Sequence, residues 1–447
     1  MKTTIKLFII GLINFLPLTI NAQDVRLSLD EALQLAMEKN KSLKVKSHEE
    51  EFRKEEVTLS RANMLPSINA SANYAYYFDR QVIFMPGVFT GNDSEPVVDV
   101  AVGGKNTFNT YVSLSQPVLN ESARRQIKAS KIQSAIGGLD TKDFRSNLTL
   151  EVSTVYLRSL LIHESIKLNK QSLDRNNRSL ANSRSLYAQG KSLKIDTLRN
   201  FIVVENLKAT ILHLENQHKV SLVNLKQMLG LEANQEVTLS DSLRHDFEAR
   251  YFAAEPTSYN EAFQNRPDIQ QKQLFIELNK NILSQSRSMR MPTVSLVGAY
   301  QIQAQADNLK FDSYKWPKTS FVGLQANIHL FSGNRINTKI RQSAIQLEKS
   351  EIEYTDAKDN AQTQIVTLEN NLKEVFQRLA IQKKTVEAAQ MNFTIVNDRY
   401  KNGLSSRLEL SDAELVLTDA KMNQLYSIFN VKIAKLQLDK ALGVLQY

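Results

Sequence analysis

The sequence predicts a mainly α chain with membrane β: an internally duplicated molecule whose long coiled-coil helices are interrupted, once in each half, by a pair of strands. Three observations carry that prediction. Glycine and proline are scarce, 14 and 9 in 447 residues, as in a chain built mostly of long helix. The second half repeats the first. Tyr187-Ala-Gln-Gly190, with Asp196 six residues past the glycine, returns as Tyr400-Lys-Asn-Gly403 with Glu409, and Leu229-Gly230 returns as Leu442-Gly443, all at one offset. Finally, the hydrophobic period changes from helical to two and back again within each half.

The chain opens with Lys2 and Lys6, an apolar run from Leu7 to Ile20 and the small-residue exit Asn21-Ala22. This is the pattern of a secretory signal peptide over 1–22. The first repeat then occupies 23–256 and the second 257–447. A helix is expected from Leu27 to Leu65, stopped by Pro66. Alternation of Ile68, Ala70, Ala72 and Tyr74 with Ser67, Asn69, Ser71 and Asn73 predicts a strand over 67–78. The stretch from Asp79 to Asn106 reads as irregular. A second strand is predicted over 107–118, with Phe108, Thr110, Val112 and Leu114 on one face. A long helix runs from about Asn120 to Tyr187, breaks at Gly190 and is followed by another from Lys194 to Leu229.

The second half follows the same order. A helix from Tyr259 to Arg290 leads to strands over 293–303 and 320–331. A helix then extends to Tyr400, breaks at Gly403, and a last helix ends near Leu442. From Ala361 through Ile365, Leu372 and Leu379 to Tyr400, apolar residues hold a 4,3 spacing in which only Gln382 is polar. That is a coiled-coil seam. The first half carries the matching seam from Leu148 to Tyr187, with Ser159, Asn169, Asn176 and Ser183 as polar exceptions.

The four strands each have one apolar and one mostly polar face, and a length that suits a tilted membrane strand of about 9–11 residues. The lipid face is assigned to Ile68, Ala70, Ala72, Val112, Leu114, Val294, Leu296, Leu324 and Ala326. Four strands cannot close a barrel, and an open edge in lipid leaves backbone groups unpaired. The chain is therefore expected to associate, two copies giving eight strands and three giving twelve.

Composition excludes other classes. The net charge of +9 is modest and spread along the sequence with no basic block, which argues against nucleic-acid binding. There are no cysteines. The six histidines show no metal-ligand spacing; His213 and His218 are five apart, where a zinc pair on a helix needs four. No phosphate-cradling loop or nucleophile elbow is present, so no enzyme, metal or cofactor is expected.

Taken in order, these features resemble the TolC-like outer-membrane efflux channels, the outer-membrane factor family. The resemblance covers essentially the whole mature chain. It is carried by the duplicated Tyr-x-x-Gly with its acid, by Ser115-Gln116-Pro117-Val118-Leu119 at the exit of the second strand, by Pro66 and Pro292 at the strand entries, and by Asn265-Arg266-Pro267-Asp268. It implies a homotrimer with a twelve-stranded barrel in outer-membrane lipid. Below it, a periplasmic α-barrel would dock an adaptor protein of an inner-membrane pump. It implies aperture residues at Asp196, Tyr400, Glu409 and Asp412, and docking turns around Tyr187, Gly190, Ser192, Gly403 and Ser405. The sequence departs from the family at Ser405, where the best-known member carries a basic gate residue. A periplasmic coiled-coil scaffold with a small soluble sheet is the competing reading.

Overall fold

The computed structural model describes residues 25–91, 94–243 and 259–445. The expected leader, 1–22, lies outside the described residues, as does His245. The chain runs β1 (Val25–Leu27), α1 (Leu29–Lys39), α2 (Lys41–Ala62), β2 (Ser67–Tyr76), β3 (Gln81–Met85), α3 (Gly87–Thr90), β4 (Val98–Val102), β5 (Asn106–Leu119), α4 (Glu121–Ala188) and α5 (Lys194–Met228). It continues with β6 (Val237–Leu239), α6 (Tyr259–Asn265), α7 (Pro267–Ser288), β7 (Thr293–Ala306), β8 (Lys318–Asn327), α8 (Arg335–Lys401) and α9 (Arg407–Ala441). Among the described residues no helix is long and apolar enough to cross a membrane.

Three expectations are corrected. The single helix from Leu27 to Leu65 is two helices broken at Asn40, whose side chain accepts from Leu43 N at 2.9 Å and donates to Met228 O at 2.8 Å. An asparagine that caps one helix and ties off another ends the first helix despite unbroken periodicity. Likewise the helix from Tyr259 to Arg290 breaks at Arg266, ahead of Pro267, which cannot donate a helical hydrogen bond. The stretch from Asp79 to Asn106 is not irregular throughout: β3 and β4 form an antiparallel hairpin, Gln81 opposite Val102.

The strands also shift at their ends. The first stops at Tyr76 rather than 78, and the last runs Lys318–Asn327 rather than 320–331. Leu330 and Phe331 leave the sheet and stand 90% exposed ahead of a reversal in which Gly333 and Asn334 both take positive φ.

One four-stranded antiparallel sheet has the order β2-β5-β7-β8. In its register Ile68 faces Leu114, Ala70 faces Val112, Leu296 faces Leu324 and Val294 faces Ala326. Residues directly opposite in an antiparallel pair share a face. Gln116 stands opposite Leu296, and the shift after Pro117, which has no N–H for the ladder, brings Leu119 opposite Val294. Alternation along each strand then places all nine residues assigned to lipid on one face.

The helices pack below this sheet, with α4 against α2, α5, α7 and α9 and α8 against α7 and α9. The main core lies midway down, around Val152, Tyr156, Leu225, Ile365, Leu379 and Val431. Tyr156 is fully buried and donates to either Leu27 O or Asp241 Oδ2, each 2.8 Å away, joining α4 to the first strand. Burial pushes its hydroxyl pKa well up, so it remains a donor. The polar exceptions on the α4 seam are buried but satisfied within the helix: Asn169 donates to Ser165 O and Asn176 to Ser172 O.

Candidate functional site

The two long hairpins, α4–α5 and α8–α9, end in turns of the same construction. Gly190 has φ 70 and Gly403 has φ 73, the left-handed region that a side chain strains to enter. In the first, Lys191 N donates to Leu186 O at 2.8 Å and Gly190 N to Tyr187 O at 2.9 Å. In the second, Leu404 N donates to Arg399 O at 2.8 Å and Gly403 N to Tyr400 O at 3.0 Å. This is the paired-bond helix stop that closes the orphan carbonyls of a last turn. A Cβ built on either glycine meets nothing within 4 Å, so both turns project freely from the chain.

The other two repeated glycines are different. Gly230 and Gly443 make the same bond pattern, but a Cβ at Gly230 would come 2.5 Å from Lys39 O and one at Gly443 2.8 Å from Asn265 C. Each presses against the break between the two short helices of its own half.

Past each tip a serine holds the acid that follows. Ser192 Oγ donates to Asp196 Oδ2 at 3.1 Å, and Ser405 Oγ donates to Glu409 Oε2 at the equivalent place. Ser406 caps α9, accepting from Glu409 N at 3.2 Å. These bonds, that from Ser405 foremost, hold the Glu409 carboxyl below the usual carboxylate range. Asp412 is exposed one turn further along α9, Tyr187 is exposed at the first tip, and Tyr400 is half-buried one turn before Gly403.

The structure adds residues that sequence reasoning passed over. Arg407, in the first turn of α9, is half-buried and donates through Nε to Asn200 Oδ1 on α5 at 3.1 Å. Burial lowers its pKa, while Tyr400, Glu414 and Asp196 nearby favour its charge. Its Nη2 is buried without a partner. Glu414, also buried, accepts from Arg175 Nε on α4 at 2.7 Å. Asp196 and Tyr400 thus lie around one guanidinium, while Glu409 and Asp412 lie on the outer part of the α9 turn. Local patterning of the sequence carries no signal for this cluster, whose members come from α4, α5, α8 and α9.

The chain is similar to known proteins over nearly its whole length. The family described as outer membrane efflux protein matches residues 32–231 and 258–444. The alkaline protease secretion protein AprF of Pseudomonas aeruginosa is 21% identical over 404 residues, 89% of this chain and 80% of that protein. The outer membrane protein TolC of Escherichia coli is 19% identical over 431 residues, 94% of this chain and 82% of TolC. The solved outer membrane protein VceC of Vibrio cholerae superposes with a TM-score of 0.75 at 14% identity, covering 93% of this chain and 96% of VceC. The match extends over both halves, hairpin tips and sheet included, and the chain belongs to the outer membrane efflux protein family.

Proposed function

We propose that this chain works as a homotrimeric conduit, passive in itself, that carries cargo from a periplasmic adaptor and its inner-membrane pump through the outer membrane. The observation that carries the reading is the pairing of open edges. β2 and β8 are the two edges of the sheet, each with an unpaired ladder side. Beneath β2, Val45, Phe52 and Leu59 form an exposed heptad stripe on α2, 57%, 67% and 66% exposed. Beneath β8, Ile345 and Ile352 form another on α8, 66% and 64% exposed. A copy rotated about a central axis brings one edge and stripe against the other edge and stripe, a heterologous contact that closes into a ring. Three copies give twelve strands, with the apolar face of the sheet toward lipid and the Ser/Asn/Gln face toward the lumen.

In that ring the free tips around Tyr187, Gly190, Ser192, Gly403 and Ser405 are the adaptor-docking surface. Asp196, Tyr400, Glu409 and Asp412 form the aperture just inside them. AprF is by name a secretion protein; a conduit in which no bond is made or broken serves secretion as well as efflux. The scaffold alternative leaves both sheet edges and the apolar sheet face without partners.

The chain has no cysteine, so introduced pairs report cleanly. Phe52→Cys with Ile352→Cys, treated with a flexible bis-maleimide in cells, should give a ladder ending at three chains. Absence of cross-linking, or a ladder passing three, overturns the trimer. Purified protein should then conduct ions in planar bilayers; a cross-linked trimer that does not conduct overturns the conduit.

A further inference from the structure

The charge that looks dispersed along the sequence is gathered in space. Two helical turns on the helix side of the sheet carry eight basic residues and two acidic ones, Glu56 and Glu121. On α2 there is Arg61; on α4, Arg124 and Arg125. Arg287 and Arg290 end the α7 segment, and Arg335, Lys339 and Arg341 begin α8. Six of the chain's nine net positive charges therefore sit in this narrow collar. The opposite end of the sheet is balanced: among the described residues, 77–91, 94–105 and 307–318 hold five basic and five acidic side chains. The asymmetry is a property of one rim, not of the sheet.

Most of these cations have no internal role. Arg125 pairs with Glu121 at 2.7 Å and Arg290 donates to Asn337 at 2.6 Å. Arg61, Arg124, Arg287, Arg335, Lys339 and Arg341 are exposed and make no ion pair among the described residues. Like charges gathered without counter-charges repel, so an anion from outside the chain would stabilise the cluster. Their depth names that anion. Helical rise is about 1.5 Å per residue, so Arg124, three residues into α4, lies on the order of 5 Å from the helix end next to the sheet, and Arg287, one residue before the end of α7, lies closer still. A headgroup layer extends on the order of 5–8 Å beyond the hydrocarbon. On α4, Arg124 begins a stripe with Lys128 and Lys131 at helical spacing. Lys128 reaches Glu277 of α7 at 3.3 Å, so this stripe follows the surface seam between α4 and α7.

We propose that this collar binds the phosphates of anionic phospholipids in the leaflet that adjoins the helices, fixing the depth and orientation of the sheet in the bilayer. Guanidinium groups suit this task, since each offers a planar fork of donors to a phosphate, and a basic cluster beside a span reads as an anionic-lipid site. The inference rests on the reading of the four strands as the membrane span.

The test uses the full-length purified protein with phosphatidylglycerol or phosphatidylcholine as probe. Wild type should retain phosphatidylglycerol in preference to phosphatidylcholine by native mass spectrometry, and added salt should erode the preference. Arg124→Gln, Arg287→Gln and Lys339→Gln combined should abolish it. Lys373→Gln, Lys383→Gln and Lys384→Gln combined, an equal charge change far down α8, should leave it intact. Equal retention of both lipids by wild type, or loss in both triple variants, overturns the proposal. So does displacement of the lipid by inorganic phosphate at matched concentration, which would mark the collar as a free-anion site. Insertion of wild type into vesicles is scored separately: failure there overturns the membrane-span reading itself, whereas insertion without lipid preference overturns the collar alone.

Discussion

Arg266 shows how one side chain can hold a helix break. Its Nε and Nη2 donate to the two carboxylate oxygens of Asp268 at 3.0 and 2.8 Å, and its Nη1 reaches Ala441 O at the end of α9 at 3.2 Å. Burial would raise the Asp268 pKa, but the guanidinium and the backbone N–H of Ile269 outweigh it and the net shift is downward. A carboxyl depressed in the folded state stabilises the fold above its unfolded pKa, and that contribution is lost as pH falls through the folded pKa. Asp268→Asn should therefore cost about 1 kcal/mol at neutral pH, reduced by solvent because Asp268 is nearly half exposed. The gap to wild type should close in acid, below the ordinary carboxylate range. A gap unchanged by pH in denaturant titrations would assign the effect to packing. The Asn-Arg-Pro-Asp run was visible in the sequence as the opening of the second half. Its partner Ala441, some 175 residues away, was not, and neither was Arg407, because local patterning says nothing about which distant helix a half-buried cation meets.

At the scale of elements, four glycines share one helix stop yet serve two purposes. Gly190 and Gly403 face open space, while Gly230 and Gly443 touch backbone. Replacement by alanine at either tip carries the positive-φ strain alone, about 1–2 kcal/mol. At Gly230 or Gly443 a neighbour must also move. Gly443→Ala should therefore lower the thermal midpoint distinctly more than Gly403→Ala. Gly403→Val should leave the assembled protein in the membrane while export is lost. Export that survives Gly403→Val would remove the tip from adaptor docking. The repeat itself was legible in the sequence because the glycine spacing survived duplication; the clash that separates the two pairs required the fold.

The sheet is the other element that periodicity resolved well. Alternation alone defined the faces, because a strand repeats every two residues and a one-residue slip would invert them. Its ends and the β3–β4 hairpin were less visible, since Pro86 and the glycines of that stretch resemble an ordinary loop. If the apolar face meets lipid, Ala70→Arg or Leu324→Arg should cost about 2–4 kcal/mol per copy near mid-bilayer, and Asn69→Arg or Ser295→Arg far less. Folding into detergent or vesicles, followed by electrophoretic mobility, separates the two classes. Equal yields from both would discard the assigned faces.

At the scale of the whole molecule, symmetry multiplies what one chain holds. In the proposed threefold ring, with these acids at its aperture, Glu409 and Asp412 would make six carboxylates around the axis, with three copies of Asp196 set behind them. Mutual repulsion would ordinarily push such acids toward protonation. The serine bonds act against this: Ser405 and Ser406 both donate to Glu409 and favour its ionised form. The Glu409 carboxylates should therefore hold their charge, and the ring should bind cations, multivalent ones most strongly. Behind it, Tyr400 and Asp196 lie near the Arg407 guanidinium, which is anchored on Asn200 of the other hairpin. That cluster fastens the two hairpins of one chain together. The two layers call for separate tests in planar bilayers. Glu409→Ala with Asp412→Ala should weaken cation selectivity and block by multivalent cations while leaving the pore's resting conductance near wild type. Tyr400→Phe with Asp196→Ala should raise conductance, because the hairpins lose polar contacts that restrain their separation. If selectivity and conductance are unchanged in both double variants, the narrowest point lies elsewhere along the tube, and these acids are solvated helix faces.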